Sequence, residues 1–166
     1  PWLPLETTVA NFTMDVLQPN GLARDVVLVG AGQNELESLL TQKAAGQGRV
    51  VTPDAKPERG LAFRADHFPF ARRGVPALLL MGMGGGHDLV NGGREAGDRW
   101  VADFTGKCYH QACDRWSESW DLRGAAQDVT LIYQMASQLA NSRAWPQWNP
   151  GNEFKAVRDS TVAQRK

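Results

Sequence analysis

The chain has 166 residues, with 18 Lys+Arg against 18 Asp+Glu, so its formal net charge is zero. That balance argues against an electrostatic nucleic-acid or anionic-membrane binder, and 42% hydrophobic with 22% charged residues excludes an intrinsically disordered chain. The length suits one domain with a real core, and the longest apolar run, Val75 to Met83, is broken by Pro76 and Gly82, far short of a membrane span.

The chain begins at Pro1, without an initiator Met and without the charged-then-apolar pattern of a signal peptide, which places the original N-terminus upstream. Thr7 to Leu17 reads as a buried strand stopped by the turn Pro19-Asn20-Gly21, and Asp25 to Gly30 as a second strand. Asn34 with Glu37 forms a capping-box pattern before the helical stripe Leu36, Leu39, Leu40 and Ala44. Arg49 to Thr52 predicts a short strand, Asp66 to Arg73 a short helix closed by Gly74, and Val75 to Met81 a strand buried on both faces.

From Gly82 to Asp114 the periodicity dissolves into a long Gly-rich polar segment, read as a functional or disordered loop. Leu122, Ala125, Val129, Ile132, Ala136 and Leu139 then mark an amphipathic helix with Asp121 as its N-cap. Residues 1–141 thus form an α/β domain, and 142–166 a tail whose Trp145, Pro146, Trp148 and Pro150 pack on it, fraying past Phe154.

Three histidines, His67, His87 and His110, bound any histidine chemistry. Asp15 closes an apolar strand, where a carboxylate requires a metal, an arginine or a turn to cap. Cys108 and Cys113 enclose a four-residue segment; they either close a small disulfide loop, which marks an oxidising compartment, or stand as two reduced thiols.

Three stretches read together go further: Asn11-Phe12-Thr13-Met14-Asp15; Phe63-Arg64-Ala65-Asp66-His67-Phe68-Pro69-Phe70 with Gly74-Val75-Pro76-Ala77; and Cys108-Tyr109-His110-Gln111-Ala112-Cys113-Asp114. In order and spacing they resemble the C-terminal half of the co-catalytic dizinc aminopeptidases, metallopeptidase family 28, and Trp148 to Lys155 resembles the end of one bacterial subgroup. The resemblance implies a three-layer zinc-exopeptidase fold with a mixed central sheet flanked by helices. It also implies two zinc ions in the complete enzyme, one bound by Asp15 and the other by His110, and a Tyr109 hydroxyl that stabilises the oxyanion. Arg64 falls on a position that lines the substrate site, Asp66 and His67 on a loop-organising motif, and Asp114 on a second carboxylate that supports the His110 loop.

Ala65 and Phe63 depart from the pattern, each lacking a hydroxyl that the subgroup carries. The family's other ligands and its general-base Glu lie upstream of the strand bearing Asp15, where this chain has only Glu6. The resemblance therefore predicts the C-terminal portion of a periplasmic or secreted aminopeptidase acting on peptides, inactive as an isolated fragment. Its partner is the N-terminal part of the same enzyme, with a homodimer or domain swap as the alternative cover for an open sheet edge. Two other readings share the superfamily: a glutaminyl-cyclase-like acyltransferase and a non-catalytic binding domain. His87 has no family counterpart and is assigned to solvent.

Overall fold

The computed structural model describes residues 3–165. Four strands form one mixed sheet in the order β1-β4-β2-β3: β1 is Asn11–Asp15, β2 Asp25–Val29, β3 Val50–Pro53 and β4 Ala77–Met81. β1 lies parallel to β4, in register from Asn11 opposite Ala77 to Asp15 opposite Met81. β2 runs antiparallel on the other side of β4, and β3 is parallel to β2. The helices are α1 (Leu36–Gly46), α2 (Phe68–Ala71), α3 (Gly93–Asp103), α4 (Arg123–Ala140) and α5 (Lys155–Ser160). The expected α/β architecture, a mixed sheet flanked by helices, is the one observed, and among the described residues no helix is long and apolar enough to cross a membrane.

Every residue of β2 and β4 is buried, as continuous apolar runs at the centre of a sheet require. Side-chain alternation splits them between two layers. Val26, Leu28, Leu78 and Leu80 meet Leu36 and Leu40 of α1 and Leu131, Ile132 and Met135 of α4 on one face. Val29, Leu79 and Met81 meet Leu61, Ala65 and Met83 on the other, with Phe104 and Tyr109 packed behind them.

α1 starts as its capping pattern predicts. The Asn34 side chain accepts the Leu36 N–H at 3.1 Å, and the Glu37 carboxylate accepts the N–H groups of Gly32, Gln33 and Asn34.

Four expectations are corrected. The first strand begins at Asn11 rather than Thr7, because the carbonyls of Thr8 and Val9 accept hydrogen bonds from the Arg158 guanidinium, at 2.9 and 3.0 Å, instead of from a strand. It is also half-buried, pairing with β4 alone among the described residues. The Gly82–Asp114 segment contains α3 and, continuing it, a wider π-type turn over Phe104–Cys108. Hydrophobic periodicity misses α3 because its one buried residue is Gly97, where a Cβ would sit 2.2 Å from the His87 carbonyl oxygen.

α4 is rotated from the expected stripe. Gly124, Asp128, Leu131, Ile132 and Met135 are buried, while Leu122 and Val129 face solvent. Two anchors set that rotation: Asp128 pairs with the buried Arg49 at 2.6 Å, and Gly124 approaches the Gly21 carbonyl too closely for any side chain. Lastly, order continues past Phe154. α5 places Arg158 at 1% exposure, where a third hydrogen bond reaches the Pro146 carbonyl, and Trp148 donates its indole N–H to the Gly74 carbonyl.

Candidate active site

Asp15 is the last residue of β1, at the carboxyl end of the parallel β1–β4 pair, where α/β sheets open toward ligands. The chain leaves it abruptly: Val16 has φ 47°, a left-handed conformation that strains a β-branched residue. Gly82 holds that turn, donating its N–H to the Val16 carbonyl at 3.0 Å, and a Cβ on Gly82 would lie 2.7 Å from the same oxygen. Gln18, buried two residues on, accepts the Asn20 N–H and donates to the Gly21 carbonyl, both at 2.7 Å. Gly21 in turn donates to the Asp121 carbonyl at the foot of α4. The position of Asp15 is therefore fixed by a chain of backbone and amide contacts on its C-terminal side.

The second element is the loop that follows α3. Cys108 and Cys113 form a disulfide, which resolves the alternative that their spacing left open. Inside it, His110 takes φ 59° and lies exposed, its ring stacked on that of Tyr109 with centroids 3.9 Å apart. Tyr109 is half-buried, meets Phe104 edge-on at 6.0 Å, and packs in the apolar layer that also holds Val16 and Met81. Phe104 stacks on Trp100 at 5.4 Å. An aromatic column from α3 thus carries Tyr109 to the sheet end at which Asp15 stands.

Beside this end lies an open groove of about 870 Å³. Val16, Leu17, Trp100, Phe104, the Cys108–Cys113 disulfide, Trp116 and Trp120 line it. Its walls mix aromatic faces with Asp103, Lys107, Asp114 and Glu118.

Arg64, Asp66 and Asp114 are exposed, and among the described residues their side chains form no hydrogen bond or ion pair. The Asp114 backbone, not its carboxylate, joins the loop, donating to the Gln111 carbonyl at 2.9 Å. His67 is buried at 8% exposure. Burial pulls its pKa below the ordinary imidazole value, while a backbone hydrogen bond at Ala62 and the Asp66 charge push the other way.

His87 corrects the assignment to solvent: it is 3% exposed, with Nδ1 3.4 Å from Asp25 Oδ1. Asp25 also accepts the Asp88 N–H and the Thr52 hydroxyl at 2.8 Å and faces Arg94 at 2.7 Å. Burial alone would raise the Asp25 carboxyl; the neighbouring His87 ring and the hydrogen bonds from the Asp88 N–H and the Thr52 hydroxyl outweigh that and hold it well below the carboxylate range. This network ties the Gly-rich loop after β4 to the sheet. The one signal for it was an Asp opening an apolar strand.

Asp15 and His110 supply one carboxylate and one imidazole from separate elements. Among the described residues, no three or more His, Cys, Asp or Glu side chains converge as a metal site. The residues of this chain alone do not fit a complete zinc centre, which needs at least three protein ligands per ion or bridging groups between ions.

A layered α/β domain with an Asp at the carboxyl end of an edge strand, and a His on a disulfide-closed loop beside it, has the frame of a metallopeptidase. The family model described as Peptidase family M28 matches residues 2–134, and the chain belongs to that family. Membership makes it a peptidase by class, in a family that is generally zinc-dependent. Comparison with curated proteins and with solved structures found no significant match.

Proposed function

We propose that this chain is the C-terminal portion of a zinc-dependent aminopeptidase that removes N-terminal residues from peptides. Asp15 serves one metal ion and His110 the other; the remaining ligands and the general base come from sequence outside these 166 residues. The observation that carries this reading is the arrangement at one sheet end: Asp15, pinned by the strained Val16 turn, and Tyr109-His110, held by the disulfide and the Phe104 column. With only two such donors, the chain by itself is inactive.

The roles divide by chemistry. Zinc supplies Lewis acidity in the assembled site. Tyr109 presents a phenol hydroxyl for the oxyanion, Arg64 and the aromatic groove receive the substrate, and the buried His67 supports its loop, whereas among the described residues the exposed Asp66 and Asp114 carboxylates hold nothing in theirs. The disulfide supports a periplasmic or secreted location, since such bonds persist in oxidising compartments. β1 pairs only with β4 among the described residues, and its free edge suits the upstream part of the enzyme, or a second copy when that part is missing.

The test uses protein extended upstream through the remaining ligands, with aminoacyl-p-nitroanilides as substrates. His110→Ala abolishes hydrolysis with loss of metal; Tyr109→Phe lowers kcat by about 10²- to 10³-fold with metal retained. A folded, zinc-loaded protein that hydrolyses no peptide or aminoacyl substrate would refute the aminopeptidase reading and favour the non-catalytic domain.

A further inference from the structure

The sequence contains two Asn-Gly pairs, Asn20-Gly21 and Asn91-Gly92. In both the glycine takes a positive φ, 87° at Gly21 and 97° at Gly92. Glycine tolerates that conformation and, having no side chain, leaves the preceding asparagine an unobstructed approach to the next backbone nitrogen. The surroundings of the two pairs are otherwise opposite.

Asn20-Gly21 is locked. Gly21 is buried and its N–H donates to the Asp121 carbonyl at 2.9 Å, while the Gln18 side chain holds the Asn20 N–H and the Gly21 carbonyl, each at 2.7 Å. The side-chain amide nitrogen of Asn20 is itself buried. A Cβ on Gly21 would lie 2.7 Å from Asp121 Oδ2, so a carboxylate crowds this glycine. The Gly21 nitrogen is thus spent on an acceptor and faces a negative charge, which opposes loss of its proton.

Asn91-Gly92 is the free tip of a tethered turn. Val90 donates its N–H to the Leu22 carbonyl at 2.8 Å, and the Arg24 guanidinium donates to the Leu89 and Val90 carbonyls at 2.8 and 3.2 Å. On the far side the Gly93 N–H closes on the Leu89 carbonyl at 3.1 Å, and α3 begins. Between these anchors Asn91 and Gly92 are exposed, and among the described residues neither the Asn91 side chain nor the Gly92 N–H makes a hydrogen bond. Gly92 is the N-cap of the eleven-residue α3, so the partial positive charge of a helix N-terminus falls at this nitrogen. Asp88, the acid in this corner, is paired with Arg24 at 3.3 Å.

We propose that Asn91 is a site of spontaneous covalent modification, converting through a succinimide to isoaspartate and aspartate with water as the only reagent. The Gly92 nitrogen gives its proton to solvent base and attacks Asn91 Cγ; the N–Cγ bond forms, the Cγ–Nδ2 bond breaks, and ammonia leaves. Water then opens the ring. Attack at the side-chain carbonyl leaves aspartate, and attack at the main-chain carbonyl leaves isoaspartate, with the chain now running through the side chain. Nothing is oxidised or reduced, and the net exchange is water for ammonia. Isoaspartate adds one methylene to the backbone directly before the helix whose Trp100 and Phe104 lead to Tyr109.

The reaction needs none of the metal chemistry proposed above, so its test is run on the 166-residue chain with a chelator present, and failure here leaves the peptidase reading untouched. Folded protein is aged at neutral and mildly alkaline pH and digested at acidic pH. Peptide mapping by mass spectrometry and labelling with an isoaspartate-specific methyltransferase follow both pairs. Asn91 converts at least about tenfold faster than Asn20, since Gly21 must first open from Asp121 and each 1.4 kcal/mol or so of opening is a factor of ten. The rate at Asn91 rises with pH, because the nitrogen attacks only after losing its proton.

In urea the two pairs convert within about threefold of each other, which assigns the difference to the fold and not to the dipeptide. Asn91→Gln, an exposed change that disfavours the five-membered ring, removes the isoaspartate signal of the folded chain. Equal rates at the two pairs in folded protein, faster conversion at Asn20, no conversion at Asn91, or an isoaspartate signal that survives Asn91→Gln would each overturn the proposal.

Discussion

Arg158→Met is the sharpest probe of how the tail supports the site. The guanidinium is 1% exposed and donates to the carbonyls of Thr8, Val9 and Pro146 at 2.9, 3.0 and 3.2 Å. Burial lowers its pKa to about 10, with a contribution from Arg165, so it remains charged at neutral pH. Three hydrogen bonds from a charged donor are worth about 1.5–3 kcal/mol each against no partner. Desolvation of the cation offsets part of this, and the Thr8 and Val9 carbonyls, only partly buried, regain water in the variant.

Methionine also keeps most of the aliphatic packing of the stem. The net loss is about 3 kcal/mol, read as a lower urea midpoint at unchanged slope and a Tm lower by roughly 6–12 °C. The exposed Lys155–Asp159 pair on the same helix is the control: Lys155→Ala costs under about 0.5 kcal/mol. If Arg158→Met cost less than about 1 kcal/mol, the tail would not brace the segment leading into β1, and the reasoning would fail.

Replacing Cys108 and Cys113 with Ser opens the loop around His110 and costs about 2 kcal/mol of stability, measured by urea unfolding against the oxidised protein. Gly97→Ala destabilises by at least about 2 kcal/mol although Ala favours helix, because its Cβ would meet the His87 carbonyl at 2.2 Å; a stabilised variant would show that α3 is not seated there. Because the folded-state pKa of His67 lies below 6.5, the unfolded state binds more protons just under that pH. Stability therefore falls as pH drops through about 6.5 toward the folded value and levels off beneath it, and His67→Phe flattens that part of the profile in urea titrations.

The central strands, the α1 cap and the existence of α4 were legible in the sequence because each depends on local chemistry: apolar runs, an Asn–Glu capping pair and a helical period. What stayed hidden depends on partners far along the chain. The rotation of α4 follows from Asp128 meeting Arg49, 79 positions away, and the start of β1 from Arg158, 149 positions beyond Val9. A helix whose buried face is a glycine, like α3, carries no hydrophobic signal. Asp15, Tyr109 and His110 were singled out by motif order, and packing adds the reason they share a sheet end: Tyr109 and Val16 occupy one apolar layer. His87 was misassigned because its pairing with Asp25 joins a Gly-rich loop to the first residue of β2, which no local pattern announces.

Metal content tests the central claim most directly. The 166-residue chain and protein extended upstream through the remaining ligands are loaded with zinc, desalted and measured by mass spectrometry of the metal. The chain alone retains no stoichiometric zinc, since Asp15 and His110 leave each ion mostly hydrated. The extended protein holds two ions and loses metal on Asp15→Asn or His110→Ala, but not on His67→Phe. Tight zinc binding by the short chain that His67 or His87 substitution alone abolishes would contradict the account.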